Sequence, residues 1–468
     1  MTDGDPFGHS IYVHTSKTYG RWAKGSTGAN TSLPFEVVLE NAPDHSVKIE
    51  LPDEVNGGVG TDITFDAGIT NFGALGASSI KIEWAAGSAS GNVRIPLLDP
   101  LPQIYAAYKP FKITIPAFSA TESTELKIKV TEVDDNLNAY PEYTAATTMN
   151  IWSKQPVRRV LLEEYTGTGC GYCPRGAVGI DRMESLYGDD FVGVAYHFAD
   201  IMAIMEDFPS PAPSLPVAWL NRTRETDPYF GDNGISGDFG IDKVWTDESK
   251  RFSPVDIELE CDWTDSSHSS IEAKANATFV KPFENSDLRF SFMLVADGLN
   301  GKTVDWLQGN YYSGQTGKWP SDLDIFVNAP SYIEGMTYND VVILSPAPLG
   351  IKGSIPEQIN EGQTVSCSET LSLSDATNLD GTKLAQDGLE YSIVALVIDG
   401  TTGEVLNCIK NRLGKDGISE TPIYGAPVST TCYDLYGRRI SAAPASGIYV
   451  EIRKYADGNC VVRKIIAK

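Results

Sequence analysis

The sequence has few basic residues: 37 Lys and Arg stand against 62 Asp and Glu, and the net charge is −25. A nucleic-acid partner requires clustered cationic side chains that neutralise phosphates, so this deficit argues against one. An anionic membrane surface is disfavoured for the same reason. We interpret the acidic excess as a contribution to solubility.

Long hydrophobic runs are also missing. No stretch approaches the roughly 20 apolar residues that span a bilayer. The segment from Met1 to Ser10 is polar and lacks the apolar core of a signal peptide. Taken literally, this predicts a cytoplasmic protein. The alternative is that the numbering begins after a removed signal or anchor, and the resemblances described below favour it.

Cysteine is scarce, and the number of cysteines is odd. With seven in the chain, at least one is free or joined to another chain. Only Cys170 and Cys173 are close in sequence. The others either form disulfides in an oxidising compartment or are buried as small apolar residues: Cys261, Cys367, Cys408, Cys432 and Cys460. The sequence leaves their pairing open.

Length and hydrophobic periodicity predict a multidomain α+β protein. Alternation with a period of two, interrupted by turns, indicates β-sandwiches, whereas the alternation of strands and helices after residue 158 indicates an α/β domain. The predicted segments are a leader or linker at 1–33, an immunoglobulin-like β-sandwich at 34–152, the α/β domain at 158–252, a second β-sandwich at 253–413 and a β-rich module at 421–468.

The α/β segment is predicted in more detail because it contains the paired cysteines. Its expected elements are strands at 159–165, 191–197 and 217–220, and helices at 174–187, 200–208 and 237–252. Cys170 and Cys173 therefore follow a strand and directly precede a helix. Unpaired backbone N–H groups and the helix dipole stabilise a thiolate at that position. We predict Cys170 as the nucleophile and Cys173 as the resolving thiol.

Three rival sites fail on sequence grounds, and one alternative stays open. Zinc would need a second Cys/His pair at metal-binding spacing, and neither Cys261 nor His197 has one. A c-type haem site would need His where Pro174 stands, and a nucleotide loop would need Gly where Tyr172 stands. No metal or cofactor is therefore predicted. An inert structural disulfide remains the alternative to a redox-active pair.

Residues 158–252 resemble the thioredoxin fold in motif order. The resemblance implies that Glu164 is a buried acid that accepts the resolving thiol's proton. It also implies that Pro216, in Leu215-Pro216-Val217, is cis and presents backbone to an extended substrate. A solvated strand-end carboxylate and an ordinary loop proline remain alternatives for these residues. Tyr172 and Pro174 differ from the common thioredoxin pattern, so neither redox potential nor direction carries over.

Residues 158–413 also resemble the Bacteroidetes outer-membrane lipoproteins related to the twenty-eight-kilodalton outer membrane protein. The stretch from Glu163 to Pro174 and Leu220-Asn221-Arg222 carry this resemblance. The C-terminal module is similar to type IX secretion sorting domains, on Tyr433 to Arg439, Gly447 to Val450 and Val462 to Ile465. These resemblances imply an extracytoplasmic location at the outer membrane or cell surface, with lipid attachment as one anchor, and the secretion machinery as a partner.

The functional prediction is thiol–disulfide exchange on protein or peptide substrates, with Cys170, Cys173, Glu164 and Pro216 as site residues. The rival is a non-enzymatic binding or adhesion scaffold at the cell surface, in which the disulfide is structural. A third hypothesis is carbohydrate binding by exposed aromatic residues: Trp306, Tyr311, Tyr312 and Trp319. Core packing is the more common fate of such side chains.

Overall fold

The structure is a computed structural model that describes residues 43–102, 109–234 and 237–413, apart from the side chains at 98 and 99. Elsewhere it describes only the backbone of short strands. The chain divides into two compact units, Met1–Asn411 and Arg412–Lys468. The predicted leader at 1–33 lies outside the described residues, apart from the paired strands β1 (Tyr12–His14) and β2 (Trp22–Lys24).

The first fully described region, residues 43–152, consists of β-strands. They are β3 (Val47–Glu50), β4 (Glu54–Gly58), β5 (Ile63–Asn71), β6 (Ala77–Ala86), β7 (Ala89–Leu101), β8 (Lys109–Ile115), β9 (Glu122–Val133), β10 (Asn136–Leu137) and β11 (Ala145–Trp152). One sheet has the order β3-β5-β8 and the other β4-β11-β9-β6-β7, with β10 paired to β9. Alternate side chains of both sheets, such as Ile49 and Ile82, are buried in one shared core.

The next region contains strands and helices in one chain segment. Its elements are β12 (Leu161–Thr166), α1 (Pro174–Tyr187), β13 (Val192–His197), β14 (Val217–Leu220), β15 (Arg224–Thr226) and α2 (Ile241–Ser249). Strands β12 and β13 are parallel neighbours, with α1 as the connection between them. Helices α1 and α2 contribute Ile180 and Trp245 to a core that also contains Leu162 of β12.

The remaining elements of the first unit are mostly strands. They are β16 (Val255–Trp263), β17 (Ser270–Phe279), β18 (Leu288–Asp297), β19 (Gln308–Gly309), α3 (Asp324–Val327), β20 (Tyr332–Ile333), β21 (Val341–Leu344), β22 (Thr364–Ser372), β23 (Glu390–Asp399) and β24 (Val405–Arg412), with short 3-10 turns at Gly188–Asp190, Val304–Trp306 and Ser321–Leu323. Strands β16, β17 and β22 form a three-stranded antiparallel sheet, and β19 pairs with β20.

The predicted fold class is wrong. The protein is mostly β-sheet, with 45% strand and 10% helix, and no thioredoxin-like α/β fold is evident in it. The strands expected to form a separate α/β domain belong instead to a mixed eight-stranded sheet of order β15-β14-β12-β13-β21-β18-β23-β24. Ala195 of β13 pairs with Val341 of β21, which joins the two halves of this sheet. Residues beyond 252 therefore continue the sheet that the α/β segment begins.

One predicted helix, at 200–208, is also wrong. Asp200 accepts hydrogen bonds from the backbone N–H groups of Met202 and Thr168, both at 2.8 Å. A side chain that bonds nearby backbone in this way competes with helical hydrogen bonding.

Among the described residues, no helix is both long and apolar enough to cross a membrane.

The C-terminal unit contains β25 (Ser429–Tyr433), β26 (Arg439–Ile440), β27 (Gly447–Lys454) and β28 (Cys460–Ala467). They form an antiparallel sheet of order β26-β25-β27-β28. The pairing of Lys454 with Cys460 closes the β27–β28 hairpin. Asp457-Gly458, a dipeptide typical of hairpin turns, lies between these strands in the sequence and outside the described residues.

Candidate functional site

The paired cysteines lie in the turn between β12 and α1. The Cys170–Cys173 pair is joined in a disulfide, with its Cα atoms 5.3 Å apart. Cys173 is the N-cap residue of α1 and only 3% exposed, and no side chain caps this end of the helix. Cys170 is half-buried. The two cysteine residues therefore differ in burial, and the first of the pair is the more exposed.

Glu164 lies on β12 on the face covered by α1. Alternation along the strand places Leu162, Glu164 and Thr166 on this side. The Glu164 carboxyl is 2% exposed, and its Oε1 atom has no hydrogen-bond partner in the described part of the chain. Burial raises its pKa to about 8, against the smaller opposing effects of the Thr166 hydrogen bond and the Arg175 charge. The solvated strand-end alternative for Glu164 is excluded by this burial.

The close approach of α1 to Glu164 depends on glycine. A Cβ atom at Gly176 would clash with Oε1 of Glu164. With a glycine here, the first turn of the helix lies directly against the carboxyl group. Glu164 and Cys173 line the same cavity of about 360 Å³. A buried, proton-carrying carboxyl therefore lies on the inner side of the disulfide.

His197, which ends β13, lines this cavity as well. Its Nδ1 lies 2.7 Å from Oδ2 of Asp200, and its ring meets Tyr338 edge to face. Burial works against ionisation of Asp200, but the His197 charge, the His197 hydrogen bond and the backbone N–H groups of Thr168 and Met202 together lower the pKa of that carboxyl. His197 is thus a 4% exposed strand-end residue with a fixed partner.

Sequence analysis missed the segment that covers the cysteine turn. The Gln308 side-chain amide donates to the Cys170 carbonyl at 3.0 Å, and the Tyr311 backbone N–H donates to the Gly171 carbonyl at 2.9 Å. The Tyr311 ring lies so close to Gly171 that a Cβ atom there would clash with it. Tyr172 packs edge to face on Tyr311, with ring centroids 5.2 Å apart. No local signal links these residues, because the covering segment is remote in sequence.

The structure agrees with the prediction for Pro216 and disagrees with the one for the four aromatic residues. The Leu215–Pro216 peptide bond is cis, which confirms that expectation, and Pro216 is buried immediately before β14. Trp306 is 9% exposed and Tyr312 is fully buried, whereas Tyr311 is 60% exposed. The four aromatic residues named as a sugar platform therefore do not form one exposed surface.

Glu163 is a second buried acid on β12, and the sequence analysis predicted no function for it. Glu163 points to the face of β12 opposite Glu164 and is fully buried. Arg222 donates to both of its carboxylate oxygens, at 2.7 and 3.0 Å, and also to the Pro348 carbonyl at 2.7 Å. This ion pair fixes the turn after β14 to the central strand.

The other described cysteines are not paired. Cys261 and Cys408 are buried, and Cys367 is half-buried. Burial raises the pKa of the Cys261 thiol to about 11 and that of Cys408 to about 12. These two are therefore inert thiols near neutral pH. The described residues contain no group of three or more His, Cys, Asp or Glu side chains able to hold a metal ion.

Comparisons with known proteins give structural likeness only. No protein-family profile and no curated protein matches the chain. HBP35 of Porphyromonas gingivalis is 14% identical, with 67% of this chain and 99% of that one covered at a TM-score of 0.36. The CARDB domain of a Pyrococcus furiosus protein, in complex with di-metal ions, is 16% identical, with 26% and 99% covered at a TM-score of 0.18. Both TM-scores lie below 0.5, so neither likeness carries an argument about this chain.

Proposed function

We propose that the protein catalyses thiol–disulfide exchange on protein or peptide substrates through Cys170 and Cys173. The observation that carries the proposal is the combination of a half-buried and a buried cysteine with a buried carboxyl group of raised pKa on the neighbouring strand. A purely structural disulfide needs no proton carrier beside it. A buried carboxyl group with one oxygen left without a hydrogen bond in the described residues is costly to fold, which supports a role in chemistry.

The chemistry of the reduced pair follows from the positions of the groups. The Cys170 thiolate attacks a substrate disulfide; one S–S bond breaks, one forms, and a substrate thiolate leaves. The ionised form of Glu164, a minor population near neutral pH because the pKa is about 8, then accepts the proton of Cys173. The Cys173 thiolate attacks Cys170 Sγ, which releases the second substrate thiolate. The substrate is reduced by two electrons and the cysteine pair is oxidised. The reverse sequence oxidises a substrate dithiol.

A cleft beside the site supports an extended substrate. An open cleft of about 640 Å³ is lined by Phe198, Phe208 and Leu215. Leu215 also lies close to Gly167 in the turn that leads to Cys170. In this proposal, the backbone at Pro216 pairs with the substrate chain while apolar substrate side chains occupy the cleft.

The second candidate is a surface scaffold with a structural disulfide, and the covering segment favours it. Hydrogen bonds from Gln308 and Tyr311 hold the cysteine turn in place and restrict approach to it. The two candidates differ in whether the disulfide opens while the protein remains folded.

A redox titration separates them. We expect the native protein to equilibrate reversibly with glutathione or dithiothreitol buffers, at a potential within about −120 to −270 mV. Alkylation and mass spectrometry would follow Cys170 and Cys173, and circular dichroism would follow the fold. Cys170→Ser should abolish exchange and Cys173→Ser should accumulate a mixed disulfide. A pair that stays oxidised until the protein unfolds, or unchanged turnover in Cys170→Ser, would establish the scaffold instead.

We further propose an extracytoplasmic location at the outer membrane or cell surface, with the C-terminal unit recognised by the secretion machinery. The disulfide supports this, because such bonds persist in oxidising compartments. Fractionation of the native host cells, with the gene intact and with the codons for residues 412–468 removed, tests it. Cytoplasmic retention of the full chain would contradict the proposed location. Unchanged export of the truncated chain would contradict recognition of the C-terminal unit.

A further inference from the structure

The cleft lined by Phe198 and residues 206–215 lies outside the groups that carry out the exchange chemistry. Phe208 and Leu215 are half-buried in its wall, whereas Phe198 is 45% exposed. The ring centroids of Phe198 and Phe208 lie 5.7 Å apart, and the two rings form one apolar surface with Leu215. A contiguous apolar surface with polar residues at its rim marks an interaction site.

The loop that forms most of the cleft is held in one conformation. The Phe208 ring stacks on Tyr165 of β12, with ring centroids 4.2 Å apart, and the Ser210 backbone N–H donates to the Tyr165 hydroxyl at 3.1 Å. The Trp219 indole N–H donates to the Pro211 carbonyl at 2.7 Å. Prolines at positions 209, 211 and 213 restrict the backbone further. The loop therefore loses little conformational freedom when a ligand binds.

The charged groups at the cleft are acidic. Glu206 and Asp207 are among its lining residues, are both exposed, and take part in no ion pair within the described part of the chain. Among the described residues that line the cleft, none is Lys, Arg or His. The three prolines lack the N–H group with which loop backbone binds anionic groups. Two adjacent carboxylates beside an apolar surface therefore match a ligand that combines an apolar body with positive charge.

We propose that this cleft docks a segment of a partner polypeptide in which an aromatic or long aliphatic side chain is flanked by Arg or Lys. The apolar side chain covers Phe198 and Phe208. Its basic neighbours lie near Glu206 and Asp207, and an arginine guanidinium can also stack on the exposed face of Phe198. As a rule for which substrates reach Cys170, this inference rests on the proposed function, whereas docking itself needs no exchange.

Charge distinguishes this partner from other occupants of the cleft. A second copy of the chain, with a net charge of −25, would bring further carboxylates to Glu206 and Asp207, and like charges at an interface are unfavourable. Anionic membranes and nucleic acids are opposed for the same reason. A Cβ atom at Gly167 would lie 3.8 Å from the Leu215 side chain and 3.0 Å from the Phe198 carbonyl. A segment docked in the cleft therefore lies beside the turn that leads to the cysteines.

Calorimetric titration of the oxidised full chain with peptides that lack cysteine tests docking alone. The peptides are Gly-Arg-Phe-Arg-Gly, its charge-reversed form Gly-Glu-Phe-Glu-Gly, and Gly-Arg-Ala-Arg-Gly. We expect the first to bind about 10-fold more tightly than the second, because opposite charges attract at the cleft. It should also bind about 10-fold more tightly than the third, because its phenyl group leaves water. The charge preference should shrink as the salt concentration rises. Equal affinity of the first peptide and either of the others, or no binding of the first, would overturn the proposal.

Charge reversal locates the site. Glu206→Lys/Asp207→Lys should invert the preference, so that the Glu-containing peptide binds more tightly than its Arg counterpart. Asp189→Lys/Asp190→Lys is the matched control, because it reverses two adjacent exposed acids outside the cleft and changes the net charge equally. The control should keep the preference for Arg. Circular dichroism confirms folding, and Glu206→Gln/Asp207→Asn, which should abolish the preference, replaces the lysine variant if that one fails to fold. An unchanged preference in either folded cleft variant would refute the site.

Phe198→Ala tests the apolar surface. It should weaken the Arg-Phe-Arg peptide about 10-fold and leave the Arg-Ala-Arg peptide unchanged. Leu186→Ala is the control, because Leu186 is an apolar residue of α1 that is 40% exposed and lies outside the cleft. It should change neither affinity. Unchanged binding of the Arg-Phe-Arg peptide by folded Phe198→Ala would contradict the apolar part of the site.

Exchange is measured separately, with each peptide extended by one cysteine and supplied as its mixed disulfide with glutathione. The reduced protein attacks this disulfide through Cys170, Cys173 completes the oxidation of the pair, and the peptide thiol and glutathione are released. Exchange should be fastest for the Arg-Phe-Arg peptide. Selective docking without exchange would refute the proposed function alone, and exchange at equal rates for the Arg- and Glu-containing peptides would refute this inference alone.

Discussion

Gly176 of α1 lies against Glu164 of β12, so that a side chain at position 176 would occupy the space of the Glu164 carboxyl oxygen. Helix α1, whose N-cap is Cys173, can therefore approach the central strand this closely because Gly176 has a hydrogen atom in place of a side chain. Both neighbours are buried, and neither can shift into solvent. This relationship ties the position of the disulfide to that of the carboxyl.

We expect Gly176→Ala to destabilise the protein by about 1–3 kcal/mol, as overpacking of a tight interior does. Alanine has the higher helix propensity, so a loss of stability here would come from the clash. Denaturant unfolding measures it. Gly169→Ala is the matched control, because a Cβ atom at Gly169 would meet no atom within 4 Å. A Gly176→Ala protein as stable as the control would show that α1 and Glu164 are not in contact.

The raised pKa of Glu164 predicts that this residue lowers the stability of the folded protein as pH rises. Its pKa is about 8 in the folded protein against 4.5 for an unperturbed carboxyl. Between these values the folded state holds the proton and the unfolded state releases it, so stability falls as pH rises. Glu164→Gln removes this effect. Its stability relative to the native protein should increase by up to about 1.4 kcal/mol per pH unit across that window.

Urea unfolding of both proteins at pH 5, 6, 7 and 8 measures the difference. Asp189→Asn removes an exposed carboxyl from the same region and provides the control, which should run parallel to the native protein. A difference between Glu164→Gln and the native protein that stays constant with pH would show that Glu164 titrates normally and carries no proton near neutrality.

Local patterns predicted the strand and the helix on either side of the paired cysteines better than they predicted the sheet. The expected strand at 159–165 and helix at 174–187 correspond to β12 and α1, because apolar periodicity and Pro174 at the helix start are local signals. The sheet was mispredicted because pairing partners are remote. Nothing near Ala195 indicates that Val341 lies beside it. The same limit applies to the strands after residue 252, since alternation identifies strands without assigning them to a sheet.

The two adjacent glutamates illustrate what the sequence leaves open. Strand alternation requires Glu163 and Glu164 to face opposite sides, but it does not show that both sides are covered. Helix α1 covers one side, and the loop from 201 to 215 contributes Phe208 and Leu215 to the other. These tertiary contacts determine the partners of the two side chains. Glu163 pairs with Arg222, whereas Oε1 of Glu164 has no partner in the described residues.

The buried Glu163–Arg222 pair should be needed for stability and not for exchange. Arg222→Met leaves a carboxylate buried without its partner, which costs about 3–5 kcal/mol. The double variant Glu163→Leu/Arg222→Met should recover most of this loss, since no charge remains buried. Lys127→Met, which breaks the exposed pair with Glu125, should cost no more than about 1 kcal/mol. Thermal unfolding compares them. A double variant as unstable as Arg222→Met would mean that packing, and not charge, dominates here.

Access to the disulfide should depend on Tyr311. Its ring covers Gly171 and packs against Tyr172, and an aromatic edge contact of this kind contributes about 0.5–1.5 kcal/mol. Loss of that contact in Tyr311→Ala should raise the population of the uncovered turn, and hence the rate of reduction by dithiothreitol, by roughly 2- to 10-fold. Tyr332→Ala is the control, because Tyr332 is similarly exposed, at 68%, and does not line the turn. Rates are measured by quenched alkylation of the released thiols. Equal rates in both variants and the native protein would show that reduction does not require the covering segment to move, and that Cys170 is accessible in the closed structure.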